Sequence, residues 1–179
     1  MTHTQLLSAL GERFGQVTDL LQHVSPDRWH GPQAHQWTIA QETEHLRLST
    51  QGTVFLFSPQ NRASWRPTDR AGRSYELIRD GYLNALAERS GNVNQAFGPT
   101  AQSDRLTPDE QARNWQTITT QLLRLVTDLP ETDLDAFTVW KHPLLGPVTG
   151  REMLYFTLYH TQHHYVSLQR KQQQTPASR

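Results

Sequence analysis

The sequence predicts an all-α protein, a bundle of amphipathic helices folded as one domain, and three observations carry that expectation. Apolar residues recur at spacings of three and four in five separate stretches, and residues that cap helices stand at the start of several of them. No run of four to eight residues alternates apolar and polar between turn clusters, so strands are not expected. At 179 residues the chain fits a single domain, one that buries about two thirds of the surface exposed by its unfolded form.

The first helix is marked by Leu7, Leu10, Phe14, Val17, Leu21 and Val24, one stripe that ends before Ser25-Pro26. A loop holding Pro26, Gly31 and Pro32 follows. Thr38 then offers an N-cap, and Ile39, Leu46, Val54 and Phe57 carry a second helix to about Phe57, where Pro59 interrupts it. Residues 59–72 are polar, rich in arginine and without a period, which reads as a long loop of the kind that covers a site. Tyr75, Ile78, Tyr82, Ala85 and Leu86 mark a third helix ending near Gly91, and a second loop runs through Gly98-Pro99 to Leu106. Thr107-Pro108-Asp109-Glu110 supplies a cap, a proline at the first helical position and acidic residues in the first turn. Trp115, Ile118, Leu122, Leu125 and Leu129 extend this fourth helix to Pro130. Thr149 and Glu152 have capping-box spacing and open the last helix. From Lys171 onward the chain reads as a frayed polar tail, so the bundle is assigned to residues 1–171 and the tail to 172–179.

Composition removes several functions. Seventeen basic and seventeen acidic residues cancel, and the isoelectric point near 7.1 leaves no overall attraction to nucleic acid or to an anionic membrane. There is no cysteine, hence no disulfide and no thiolate metal site. The opening residues lack a basic segment followed by an apolar core, and no stretch approaches the roughly 18 apolar residues of a spanning helix. The expectation is a soluble, cytoplasmic protein.

Histidine carries the chemistry. His160 and His164 stand four apart in the last apolar stretch, so both rings lie on one helix face and can reach a single ion. The face through Met153, Phe156, His160, His164 and Ser167 follows the core-facing spacing. On the second helix Glu42, His45, Ser49 and Gly52 form a small, polar stripe opposite the apolar one, which leaves space beside it. His45, His160 and His164 together would leave one coordination position open, the arrangement of a reactive metal. Glu42, one turn from His45, is either an orienter or proton acceptor at that site or an exposed helix carboxylate. Glu42-Thr43-Glu44-His45 also has the Glu-x-x-His spacing of carboxylate-bridged di-iron bundles, but no glutamate stands three before His160 or His164, so a mononuclear site is favoured. His163 falls about 100° from its neighbours around the helix and is not expected to ligate. His3, His23, His30, His35 and His142 read as loop or surface residues. Trp29, Trp37, Trp65, Trp115 and Trp140 read as packing anchors. Arg62, Arg66, Arg70 and Arg73 read as a solvated surface, with reception of a carboxylate-bearing substrate as the alternative.

Three phrases resemble a known family. Trp37-Thr38-Ile39-Ala40 with Glu42 and His45-Leu46, His142-Pro143-Leu144-Leu145-Gly146-Pro147-Val148-Thr149 followed by Glu152-Met153-Leu154, and Tyr159-His160-Thr161-Gln162-His163-His164 look like the DinB-like superfamily in order and spacing. The resemblance covers nearly the whole chain. It implies a DinB-like four-helix bundle with a long crossover, and here an additional helix in the connection; either the 74–91 helix or the fourth apolar stretch is the crossover element. It further implies a divalent metal ion, zinc, nickel or iron, held by His45, His160 and His164, and a homodimer formed through bundle faces. Characterised relatives include thiol-dependent S-transferases and a mycothiol-dependent isomerase, so the implied activity is transfer of a small thiol to an electrophile. Metal-dependent hydrolysis and a non-catalytic, stress-associated metal-binding role are the alternatives. A transferase requires a pocket reaching the metal edge; a purely structural site would be closed by a fourth protein ligand. The loops around Arg62 to Arg73 and Val93 to Leu106 are expected to wall the pocket mouth.

Overall fold

A computed structural model describes residues 1–31, 36–88 and 98–173 of the chain. Three long helices carry a complete N-terminal cap, two of them at Thr38 and Thr107, the threonines the sequence marks. Thr2 caps α1 (His3–Gln22), Thr38 caps α3 (Ile39–Phe57) and Thr107 caps α6 (Pro108–Thr127). In each, the threonine hydroxyl accepts the N–H three residues on, and the side chain there, Gln5, Gln41 or Glu110, accepts the threonine N–H in return. Two orphan donors per helix are thereby satisfied, worth about 1 kcal/mol for each cap. The last helix, α8 (Gly150–Gln173), begins with the same exchange between Thr149 and Glu152.

These four helices form the bundle. α1 packs on α6 and α8, and α3 packs on the same two, so α1 and α3 occupy opposite corners around a shared core. Leu6, Leu10, Phe14, Val17 and Leu21 of α1 are buried there, with the stripe beginning at Leu6 rather than Leu7. Trp115 of α6 is fully buried, edge-on to Phe14 at 5.4 Å, and its indole N–H donates to the Phe14 carbonyl at 3.1 Å. Trp29, in the one-turn helix α2 (Pro26–Trp29), donates to the Leu106 carbonyl at 2.7 Å and ties the α1–α3 connection to the start of α6. Trp65 donates to the Leu56 carbonyl and packs edge-on to Phe57. These three are the anchors expected of them.

The connection between α3 and α6 contains a one-turn helix, α4 (Pro59–Arg62), a two-residue strand, β1 (Arg66–Pro67), and α5 (Tyr75–Glu88). α5 packs chiefly against α8, with Ile78 and Tyr82 buried and Tyr82 edge-on to Phe156 at 5.2 Å. It is therefore the additional helix, and α6 is a bundle helix. The expected end of α5 near Gly91 lies outside the described residues.

Strands are present after all. After α7 (Asp133–Ala136), β2 (Phe137–His142) and β3 (Gly146–Thr149) form an antiparallel hairpin, and β1 pairs with β2 to complete a small sheet in the order β1-β2-β3. Its turn is built from apolar residues, which hides the usual polar turn signal. Gly146 takes a φ of +68°, a left-handed conformation that costs other residues about 1–2 kcal/mol. His142 supplies the rest: its Nδ1 accepts the N–H groups of Leu144 and Leu145 at 3.1 and 3.3 Å.

The arginine-rich loop is held by a carboxylate of the protein itself. Arg70 donates to both oxygens of the buried Glu152, at 2.7 Å to Oε1, while Arg73 donates from its side chain at 2.9 Å and from its backbone N–H at 2.8 Å. Arg62 reaches the Phe57 and Leu125 carbonyls. Burial alone would raise the Glu152 pKa, but the donors from Arg70, Arg73 and Thr149 hold it down at about 2. The reading of Arg62, Arg70 and Arg73 as a solvated surface is thus corrected, and the carboxylate that Arg70 and Arg73 receive is internal.

Candidate metal centre

α3 and α8 are neighbours in the bundle, and their facing stripes bring His45, His160 and His164 together. All three are buried. Nε2 of His160 lies 3.1 Å from Nε2 of His45 and 3.1 Å from Nε2 of His164. One nitrogen from each ring falls in a set whose members all lie within 4.8 Å of one another, so the triad could hold a metal ion. It unites residues 115 positions apart.

Behind His164 stands a second layer. Its Nδ1 is 2.7 Å from Oε1 of Glu42, which is itself buried. The other oxygen of Glu42 accepts from the Ser167 hydroxyl at 3.0 Å and from the Lys171 ammonium, and Lys171 also donates to the Trp37 carbonyl at 2.6 Å. Burial pushes the Glu42 pKa up, but His164 and Lys171 outweigh it and hold the carboxyl at about 2. Glu42 is therefore ionised and can only accept. The proton of a neutral His164 is then on Nδ1, and the Nε2 lone pair faces the other two rings. Of the two roles open to Glu42, the exposed helix carboxylate is excluded.

The donor set fits a cation. Burial holds His160 well below the ordinary imidazole pKa, and the neighbouring His164 and His45 add to the effect, so this ring is neutral with a lone pair to give. A single proton at Nε2 of His160 cannot bridge both neighbouring nitrogens 3.1 Å away. A cation held by the three rings would take one lone pair from each. Nitrogens about 2.0–2.1 Å from a tetrahedral zinc stand about 3.4 Å apart, close to the separations found here.

The triad lines a cavity of about 590 Å³, within the usual range for small-molecule sites. Ser49, Gly52 and Thr53 of α3 leave its volume open, as the small stripe on that helix led us to expect. Trp37 stacks obliquely on His45 at 4.8 Å, and Phe156 stacks on His160 at 5.1 Å. α5 and the hairpin add further walls, through Tyr82, Trp140 and Leu144. Of the two loops expected at the mouth, the first contributes Ser64, beside Asn61, but none of its arginines, and residues 98–106 contribute nothing; residues 93–97 lie outside the described residues. Arg70 and Arg73 are drawn instead to Glu152.

His163 is exposed and edge-on to His164 at 5.2 Å; it borders the cavity but is outside the triad. His142 is buried, not on the surface: it packs on Phe156 at 4.4 Å and borders the cavity from the hairpin. His23 and His30 are exposed, and His3 is half-buried with Nε2 3.0 Å from the Val126 carbonyl. His35 lies outside the described residues. Glu44 pairs with Arg47 and Gln111, so the Glu-x-x-His spacing does not bring a second carboxylate to the rings. Sequence reasoning misses Lys171, whose polar surroundings suggest the start of a tail; it is buried in a helix that continues to Gln173. The steps from His160 to His164, Ser167 and Lys171 are four, three and four, a single helix face, and that signal was available.

Among known protein families, the DinB superfamily matches this chain over residues 9–167. No curated protein and no solved structure matches it.

Proposed function

The chain belongs to the DinB superfamily, and from that membership and the geometry of the triad we propose that it binds a divalent metal ion through His45, His160 and His164 and transfers a low-molecular-weight thiol to an electrophile. The observation that supports this most is that the three ring nitrogens converge at the wall of a cavity, with no fourth histidine or carboxylate joining them among the described residues. A site built only to brace the bundle would be closed by a fourth protein ligand. When bound, the ion would supply the positive charge that favours the deprotonated form of a thiol at the position the histidines leave open.

The chain's own residues supply the rest. Glu42 keeps the His164 proton on Nδ1 and presents Nε2 inward; Lys171 and Ser167 hold Glu42 in place. Trp37 and Phe156 fix the planes of His45 and His160. The aromatic walls exclude water from the sulfur and the acceptor. With an aryl halide as acceptor, the sulfur bonds to the ring carbon, the halide leaves with its bonding pair and the thiol proton passes to solvent. The protein would act as a homodimer, for which the exposed Leu77 and Leu83 of α5 offer apolar surface.

Elemental analysis of untagged protein tests the first half, with one zinc, nickel or iron ion per chain expected. Thiol consumption against an aryl halide, screened over small thiols, tests the second. A metal-free protein overturns both; stoichiometric metal with no thiol consumption leaves the hydrolytic and non-catalytic readings in its place.

A further inference from the structure

Taking the cavity to be the substrate site proposed above, we infer that the acceptor it admits is uncharged and aromatic. Among the described residues, no aspartate, glutamate, lysine or arginine lines the 590 Å³ space. Trp37, Phe55, Tyr82, Trp140 and Phe156 offer ring faces or edges to it, and Phe55 is 63% exposed at its rim. The other polar groups described there are the hydroxyls of Ser49, Thr53 and Ser64, the Asn61 amide and the imidazoles.

Charges close to the cavity are already committed. Glu42 is paired with Lys171 behind His164, Glu44 with Arg47, and Glu152 with Arg70 and Arg73. A cation or anion on the acceptor would give up its hydration and meet no opposite charge among the described lining residues. Among the described lining residues, negative charge would be received at the histidine triad, and there the thiol sulfur takes it. The acceptor must therefore be recognised by aromatic stacking and shape, with neutral hydrogen bonds to orient it. Any charge carried by the thiol stays outside the rim.

Three probes of one shape separate charge from size: naphthalene-2-carboxamide, naphthalene-2-sulfonate, an anion that ligates metals weakly, and (2-naphthylmethyl)trimethylammonium. Binding to the protein as purified is followed by quenching of tryptophan fluorescence, with no thiol present. The carboxamide is expected to bind at least tenfold more tightly than either ion. Gly52→Phe, which fills the cavity, should abolish carboxamide binding. Leu144→Arg, on the half-buried hairpin turn, keeps the backbone N–H that His142 accepts and should bring sulfonate affinity up to that of the carboxamide. Sulfonate or ammonium binding as tight as carboxamide binding in the wild type, or no binding of the carboxamide, would overturn the inference. Because the readout needs no transfer, a protein with the expected ranking and no thiol consumption would sink the transferase reading alone.

Discussion

His160 is the residue on which the centre turns, because its Nε2 is the nitrogen that both other rings approach at 3.1 Å. Substituting His45, His160 or His164 by alanine is expected to bring metal content to background, measured by elemental analysis, while far-ultraviolet circular dichroism stays helical. His163→Ala should keep its metal, since that ring stands on a different face. Metal loss in this variant alone would mean that the facing of α8 is misassigned. Glu42→Gln leaves the volume unchanged but weakens the acceptor for His164, and metal affinity should fall about 10- to 100-fold. Glu42 and Lys171 also form a testable pair. Lys171→Met strands a buried carboxylate and should destabilise by about 3–5 kcal/mol, whereas adding Glu42→Gln should recover part of that loss in a denaturation cycle.

At the scale of elements, the N-terminus of α8 does two tasks with one side chain. Glu152 completes the cap with Thr149 and receives Arg70 and Arg73, so it joins the bundle to the loop that leads into α5. Its pKa of about 2 against an ordinary 4.5 sets the sign of a pH effect. The folded state holds the proton less tightly than the unfolded one, so the contribution is fully present above pH 4.5 and is lost as pH falls toward 2. Glu152→Gln should therefore cost about 3 kcal/mol in urea unfolding at pH 7, with the gap to wild type closing as pH falls from 4.5 to about 2. A gap that persists unchanged at low pH would assign the effect to packing. In the hairpin, Gly146→Ala should cost about 1–2 kcal/mol because the left-handed φ is retained at the turn.

For the molecule as a whole, the metal is expected to stabilise the fold, because the ligands come from two helices that the unfolded chain holds far apart. If the free ion exceeds its dissociation constant about 1,000-fold, binding adds about 4 kcal/mol, and chelation should lower the melting temperature by on the order of 10 °C. An unchanged melting temperature after verified metal removal would place the ion outside the folding equilibrium. Light scattering at micromolar concentration should give twice the 20.6 kDa chain mass. A monomer there would rule out the dimer. No described helix is long and apolar enough to cross a membrane.

What the sequence determined by itself was whatever depends on neighbours within a turn or two. The caps at Thr38, Thr107 and Thr149, the helix stripes, and the face that His160 shares with His164 all follow from local spacing on a 3.6-residue period. The small stripe of Ser49 and Gly52 marked the cavity for the same reason. Tertiary structure alone decided what is joined across long separations. Glu42 meets Lys171 129 residues away, and Arg70 meets Glu152 82 residues away; a local pattern cannot choose among the charged partners available. The hairpin was illegible because its turn is apolar and its strands are short, so that pairing rather than composition makes them strands. Likewise, α5 carries an apolar stripe like any bundle helix, and only packing decided that it lies against α8 and helps to wall the cavity.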